Sequence, residues 1–338
     1  MSPWTIVKTS PPPTLPSAAP ENQQRTPRVA PFVSAFLRRN IAYVALVCLV
    51  LIFGVLAPHQ FLTLTNLGVV LQNSAVLSIV AIGITFVIIT GSIDLSVGSV
   101  MALSGALAAM CSGGLSGYAF LIAPLIGAVL GGINGGLFVM GRIPSFVVTL
   151  GMLSMARGVT VIITGGAPVP VPFDSSFYVF GTPPIPFVLV VVVAVIAAFF
   201  LLATTFGRYC FAIGGDEEKA RILGVPVNEV KFTVFVLSGA LAGIGGGIVT
   251  SQLGSGSPTV GIGFELMAIS AVVIGGTPLT GGMGSILGTV VGSLVITTLA
   301  NGLIILGIST NVQTILTGAV LVVAVLISIR RDKIRVMK

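Results

Sequence analysis

The chain has 338 residues, of which 55% are hydrophobic and only 7% are charged, and its mean hydropathy is +1.12. So few polar residues cannot cover a water-soluble globule, and the long apolar runs are unlike the short alternating segments of a membrane β-barrel. The net charge of +7 does not indicate nucleic-acid binding, because the basic residues are sparse rather than clustered. The sequence therefore predicts an all-α, polytopic transmembrane helical bundle.

The chain begins with a segment that we expect to be a disordered cytoplasmic tail. Residues 1–37 include the stretch SPPPTLPSAAPENQQRTPR, which buries too little apolar surface to fold alone. We do not expect a cleavable signal peptide here, because the first long apolar run begins only after Arg38 and Arg39 and no small-residue cleavage site follows that run. A transmembrane domain is expected over residues 38–329.

Apolar segments of roughly 17 to 25 residues, the length that crosses a bilayer, follow the tail. About ten spans are predicted, at about 41–57, 67–90, 95–112, 118–140, 145–164, 186–204, 231–250, 264–281, 285–306 and 311–329. Almost no loop separates the pairs that flank 90–95 and 281–285. One member of each pair could therefore be a broken or re-entrant element, which is tolerated where protein surrounds it.

The positions of the basic residues set the orientation of these spans, since Lys and Arg concentrate on cytoplasmic loops. With the N-terminus inside, 15 of the 16 Lys and Arg residues fall on cytoplasmic segments, and Arg157 alone lies within a span. The predicted outside loops, about 58–66, 113–117, 165–185, 251–263 and 307–310, contain none. Both termini are therefore predicted to be cytoplasmic, including a basic C-terminal segment over 330–338.

A weak internal repeat appears at a shift of 186 residues. Segment 72–99, which ends in TGSIDLSVGS, aligns with 258–285, which ends in GTPLTGGMGS. Each has an apolar run, a glycine-containing turn and a Gly-Ser pair that opens the next run. Transporters are often built from duplicated halves, so we expect two weakly related halves.

Few ionisable residues lie within the predicted spans, and each of them is a functional candidate by default. The tight turn around Asp94 favours capping of the next helix, with solute or proton handling as the alternative. Arg157 and Glu265 are interpreted first as structural anchors, Arg157 through a carboxylate or loop carbonyls. The amides, including Gln72, either line a pore or join helices. The candidate pathway or gating residues are Asp94, Asn73, Asn134, Glu265 and Asn301.

The long inside loop TTFGRYCFAIGGDEEKARILGVPVNEVK, over residues 204–231, holds an unusual concentration of charge. Asp216 is a suitable N-cap, two glutamates suit the first helical turn, and Gly224 lies where the helix should end. We interpret it as a short charged helix that forms a docking surface, although an ordinary solvated connection is the alternative. The residues assigned to this helix are Gly214, Gly215, Asp216, Glu217, Glu218, Lys219, Ala220, Arg221 and Gly224.

Motifs for catalysis or metal binding are missing from the sequence. It has no GxxxxGK[ST] phosphate-binding loop, no GxSxG and no HExxH. Cys48, Cys111 and Cys210 show no metal-binding spacing, and His59 is the single histidine. We therefore expect no enzyme activity and no cofactor or metal on this chain, so that any ATP hydrolysis belongs to another chain.

Four stretches resemble permease subunits of bacterial ABC importers of the ribose and simple-sugar class, in the branched-chain amino acid/sugar permease superfamily. They are FVIITGSIDLSVGSVMALSGALAA (86–109), GRIPSFVVTLGMLSMARGVTVIITGG (141–166), FGRYCFAIGGDEEKARILGVPVNEVKFTVFVLSGALAGIGG (206–246) and ELMAISAVVIGGTPLTGGMGSILGTVVGSLVI (265–296). The resemblance covers about residues 36–329, and the Pro-rich tail departs from it by its length.

The resemblance implies a multi-pass protein of the bacterial inner membrane that translocates a monosaccharide, such as a ribose-like pentose or a hexose. It implies a second permease copy, a cytoplasmic ATPase that carries ATP and Mg²⁺, a periplasmic solute-binding protein and surrounding lipid as partners, with no nucleic acid. Segment 214–225, within the loop 205–230, would be the ATPase-coupling helix. Branched-chain amino acids or nucleosides are the alternative cargo, and an ion-coupled carrier acting alone is the alternative class.

Overall fold

The computed structural model describes residues 41–328 of the chain. The tail predicted over residues 1–37 and the basic segment 330–338 lie outside the described residues. The described part is predominantly helical, and its two β-strands contain two residues each. The predicted all-α class of a polytopic membrane protein is confirmed.

Thirteen α-helices follow one another along the described part of the chain. They are α1 (Ile41–Leu56), α2 (Pro58–Phe61), α3 (Leu64–Ile89), α4 (Val97–Leu115), α5 (Ile122–Val139), α6 (Ser145–Thr164), α7 (Ile185–Ala203), α8 (Thr205–Gly215), α9 (Glu217–Ile222), α10 (Val227–Leu253), α11 (Phe264–Ile274), α12 (Ile286–Ile305) and α13 (Thr310–Ser328). Two 3₁₀ helices span Ser116–Leu121 and Ser176–Gly181, and the strands are β1 (Val169–Pro170) and β2 (Ser255–Gly256).

Six helical stretches of the described chain are long and apolar enough to cross a membrane. They are Leu64–Ile89, Val97–Val139, Ser145–Thr164, Ile185–Ala203, Val227–Leu253 and Ile286–Ile305, and the second of them contains both α4 and α5. Each of the ten predicted segments contains a helix, but the number of spans is not confirmed and stays a prediction.

The predicted span over 264–281 is wrong in extent, because α11 ends at Ile274. Its 11 residues rise about 16 Å, roughly half the hydrocarbon thickness of a bilayer. The expectation that one element near 281–285 is broken therefore applies to this helix, which is followed by the non-helical segment 275–285.

Close backbone contact between glycine-rich helices holds the centre of the bundle together. Helix α10 packs along α5, where Gly239 lies against Gly127 and a Cβ on either glycine would overlap the backbone of the other helix. Small residues permit this approach and so increase the van der Waals contact that drives helix association in lipid. Helix α3 is central, since every residue from Ser74 to Thr90 is buried.

The two ends of the bundle bring together the loops that the charge pattern assigns to the same side. At one end β1 pairs with β2, so that Val169 faces Gly256, and the Gln72 side-chain amide donates to the Gly181 carbonyl at 2.9 Å. These contacts join the predicted outside loops 165–185 and 251–263. At the other end Gly282 N donates to the Ile89 carbonyl at 2.9 Å.

The repeat seen in the sequence corresponds to two breaks of the same kind. Segment 90–96 separates α3 from α4, and segment 275–285 separates α11 from α12, at positions related by the predicted shift. The two breaks meet directly: Gly281 has a φ of +78° and lies so close to Gly91 that a Cβ would come within 2.8 Å of the Gly91 nitrogen. Both the positive φ and this approach require glycine at position 281.

Candidate functional site

The charged inside loop folds into α8 and α9, with Asp216 between them. Asp216 Oδ1 accepts a hydrogen bond from Lys219 N at 3.1 Å, and Oδ2 lies 2.8 Å from Lys219 Nζ. Beyond the other end of α9, Gly224 has a φ of +81°, and Val225 N donates to the Ala220 carbonyl at 3.0 Å. The predicted capped, charged helix is present over Glu217–Ile222, but the assignment of Gly214 and Gly215 to it is wrong, because both residues continue α8 up to the Asp216 cap. The coupling role of α9 stays a prediction.

Glu217 fastens α9 to the membrane domain through Lys231, a residue that sequence reasoning did not select. Lys231 Nζ lies 2.5 Å from Glu217 Oε2 and 4.9 Å from the centre of the Phe138 ring, and the lysine side chain is only 11% exposed. Arg221 Nη2 lies 3.2 Å from the second carboxylate oxygen. Burial acts to raise the pKa of Glu217, but Lys231 and Arg221 outweigh it and hold that pKa below its ordinary value.

The opposite face of α9 is open and carries an unexpected apolar tip. Ala220 is buried beneath the helix, whereas Ile222 and Leu223 are 78% and 82% exposed. Glu218 and Lys219 are exposed beside them. Two aliphatic side chains with charged neighbours are typical of a protein contact, so we name these four residues the docking surface. Sequence reasoning missed Ile222 and Leu223 because only the fold shows which face of α9 is buried.

Helix α8 connects α9 to both inner breaks. Gly214 lies where a Cβ would overlap the Ile89 carbonyl oxygen and the Gly282 nitrogen. Cys210 and Ile213 on the same helix are buried in the core. A displacement of α9 would therefore be transmitted through α8 to segments 90–96 and 275–285.

Asp94 is buried in segment 90–96 and binds neighbouring elements through serine hydroxyls. Its Oδ1 accepts from Ser96 N at 3.0 Å and from Ser96 Oγ at 2.7 Å, and its Oδ2 accepts from Ser238 Oγ of α10 at 2.8 Å. Asn134 Nδ2 of α5 donates to Ser96 Oγ at 2.9 Å. The prediction that Asp94 is the N-cap of α4 is wrong, because that position is Ser96. Asp94 instead accepts from Ser96 N in the turn just before the helix.

The other candidates for the pathway lie elsewhere. Asn73 is exposed on α3, Asn301 is buried in α12, and Glu265 is half-buried in the first turn of α11, beside Gly98. The structure thus links Asp94 with Asn134 through Ser96 and does not gather all five predicted residues. A pathway role for any of them stays a prediction. Within residues 41–328 no three His, Cys, Asp or Glu side chains are grouped so that they could hold a metal ion.

Arg157 reaches from α6 to the non-helical segment 254–263. Its Nη1 donates to the Pro258 carbonyl at 2.5 Å and to the Val260 carbonyl at 2.7 Å. The prediction that Arg157 anchors loop carbonyls is confirmed. The guanidinium therefore fixes the backbone just before α11.

Comparison with known proteins identifies the family to which the chain belongs. Residues 66–325 match the family described as branched-chain amino acid transport system / permease component. No solved structure matches the chain at a significant level.

Individual relatives align over most of their length. The ribose import permease protein RbsC of Escherichia coli K12 is 40% identical over 313 residues, which cover 89% of this chain and 97% of that protein. The ribose import permease protein RbsC of Bacillus subtilis 168 is 42% identical over 305 residues, covering 86% and 92%. The D-allose transport system permease protein AlsC of Escherichia coli K12 is 36% identical over 290 residues, covering 83% and 88%.

Proposed function

Because this chain belongs to the family of permease components of branched-chain amino acid transport systems, we propose that it is the membrane-spanning subunit of an ABC importer for a monosaccharide. Ribose is the first candidate, since ribose import permeases align with nearly the whole chain. Import from the periplasm would place this multi-pass protein in the bacterial inner membrane. A second permease copy would complete the pathway.

The observation that supports the ABC class most strongly is the docking surface on α9. The helix is capped at both ends and joined to the membrane domain by the Glu217–Lys231 ion pair. The side chains of Ile222 and Leu223 are nevertheless exposed to solvent. A helix fixed on one face and apolar on the other suits a protein partner. We assign this partner as a cytoplasmic ATPase that binds ATP and Mg²⁺, while this chain binds no cofactor.

Movement of the partner would reach the membrane domain through α8. Gly214 packs against the Ile89 carbonyl at the end of α3 and against Gly282 within segment 275–285. Packed elements of this kind transmit rigid-body shifts because cores do not deform continuously. Closure of the ATPase dimer would therefore tilt α3 and α12 about the breaks and alternate access to the pathway, while a periplasmic binding protein delivers the solute.

A second cargo follows from the family description, which names branched-chain amino acids. The aligned relatives favour a sugar, since both ribose and D-allose permeases align over more than 80% of the chain. Uptake of labelled ribose, measured with an unlabelled sugar or an unlabelled branched-chain amino acid as competitor, distinguishes the two cargoes.

We expect cells that lack their own ribose permease to take up radiolabelled ribose when they express this chain with its ATPase and binding protein. Unlabelled ribose should compete and unlabelled leucine should not. The matched control replaces the phosphate-binding lysine of the ATPase, which should abolish uptake because ATP no longer drives closure. Uptake of leucine instead of ribose would reassign the cargo, and ribose uptake that persists without the ATPase would contradict the ABC class.

A further inference from the structure

Segment 254–263 is non-helical and runs alongside helix α4 of the membrane domain. Gly256 packs against Ala106, and Gly261 packs against Gly98. These contacts are eight residues of α4 apart, so the segment descends about 12 Å beside that helix before α11 begins. Arg157 holds it at this depth from the other side through the Pro258 and Val260 carbonyls.

One side of this segment is not covered by the described chain. Thr259 is exposed, and Ile262 and Leu253 are 70% and 59% exposed. Irregular backbone at membrane depth carries peptide groups that hydrocarbon cannot hydrogen-bond, so it occurs where protein covers it or where it lines a water-filled cavity. The open side of 254–263 is therefore a poor lipid-facing surface.

A cavity of about 300 Å³ opens on this side, between α4, α10 and the start of α11. It is lined by Met101, Val249, Leu253, Ser257, Thr259, Val260, Gly261 and Phe264. This volume is at the lower end of the range for small-molecule sites. Phe264 supplies an aromatic face, and the Ser257 and Thr259 hydroxyls form a polar pair, with their oxygens 2.9 Å apart.

The chemistry of the lining discriminates between cargoes. A monosaccharide has an apolar C–H face and an edge of hydroxyls, which match an aromatic ring and a pair of hydroxyl groups. The lining residues carry no charge. Arg157 and Glu265 adjoin the loop at Val260 and Gly261 but are not among the lining residues. The ammonium and carboxylate groups of an amino acid would therefore lose water here without a counter-charge in the lining, and that desolvation is costly.

We propose that this cavity is a passage site for a neutral monosaccharide in the conducting pathway. Phe264 stacks on the C–H face of the sugar, Ser257 and Thr259 bond its hydroxyls, and Arg157 is a positioning residue that holds the loop in place. The sugar as cargo rests on the proposed function, but the cavity's contact with water is measurable without transport.

Thiol labelling tests the proposal in a background where Cys48, Cys111 and Cys210 are replaced by alanine. Thr259→Cys is compared with Val195→Cys on α7 and Val129→Cys on α5, whose native side chains are 64% and 60% exposed on apolar helix faces. The reagent is a membrane-impermeant methanethiosulfonate bearing a trimethylammonium group, added to intact spheroplasts. Since only a hydrated thiol ionises and reacts, we expect Thr259→Cys to react at least roughly tenfold faster than both controls.

Transport provides the second readout. Modification of Thr259→Cys should lower ribose uptake well below that of the same variant before modification, because the attached group fills the cavity. Phe264→Ala should lower uptake, and Phe264→Tyr should preserve it by keeping the ring.

The passage site and the proposed function can be refuted separately. Labelling of Thr259→Cys as slow as that of Val195→Cys overturns the inference, as does rapid labelling that leaves uptake unchanged, and both leave the proposed function intact if the cysteine-free parent imports ribose. A parent that imports no ribose contradicts the proposed function, while the labelling rate still decides whether the cavity is wet.

Discussion

Asp94→Ala is expected to lower the thermal unfolding temperature of the detergent-solubilised protein by several degrees and to abolish ribose uptake. The substitution removes the acceptor for Ser96 N, Ser96 Oγ and Ser238 Oγ in a fully buried position. Each donor left unpaired costs about 1 kcal/mol or more, so a loss of about 3 kcal/mol is expected. Because Ser238 belongs to α10, losing its hydrogen bond to Asp94 also releases segment 90–96 from α10, the helix that follows α9.

Two milder variants separate the structural role of Asp94 from a chemical one. Ser238→Ala removes a single bond and should cost about 1 kcal/mol. Asp94→Asn keeps an oxygen that accepts from Ser96 and should retain most of the stability. Normal uptake by Asp94→Ala would refute the fastening role, whereas a stable Asp94→Asn protein without uptake would support solute or proton handling by the carboxylate.

Gly214→Ala is expected to destabilise the protein by about 1–3 kcal/mol, the usual range for overpacking a closely packed site, and to uncouple ATP hydrolysis from uptake. The added methyl group meets the Ile89 carbonyl and the Gly282 nitrogen, both of which are backbone atoms that no rotamer change can move away. Thermal unfolding in detergent and the ratio of sugar imported to ATP hydrolysed measure the two effects.

The adjacent residue provides the matched control for stability. Gly215 also lies in α8, but nothing lies within 4 Å of the position that its Cβ would occupy. Alanine favours helix over glycine by roughly 0.5–1 kcal/mol, so Gly215→Ala should be neutral or slightly stabilising. Equal unfolding temperatures for the two alanine variants would show that the junction at Gly214 is not tightly packed.

Features that depend on neighbouring residues were predictable from the sequence. The start of α9 at Asp216 and its end before Gly224 follow from local capping, and the helical segments follow from continuous apolar runs. The end of α11 was missed because the segment GGTPLTG after Ile274 contains no charged residue, so the predicted span includes it. Its glycines and its proline are signals of a break, and they predict the end of the helix better than the absence of charge does.

Features that depend on distant parts of the chain were not predictable. Asp94 and Ser238 are 144 residues apart, and Arg157 is 101 residues from its Pro258 partner, so no local pattern identifies either contact. Lys231 looked like an ordinary basic residue at a cytoplasmic helix end until the structure placed it beneath Glu217. The exposed tip at Ile222 and Leu223 likewise emerged only from the packing of Ala220 against the core.

Co-purification tests the central claim most directly. The tagged chain is expressed with its neighbouring transport components, solubilised in mild detergent and captured, and the bound ATP-binding subunit is quantified. We expect that subunit to be recovered with the native chain and lost with the pair Ile222→Asp and Leu223→Asp. Tyr118→Ser, which alters an exposed side chain at the opposite end of the bundle, should leave recovery unchanged. A stable chain that captures no ATPase, or whose capture is indifferent to the docking surface, would contradict the account.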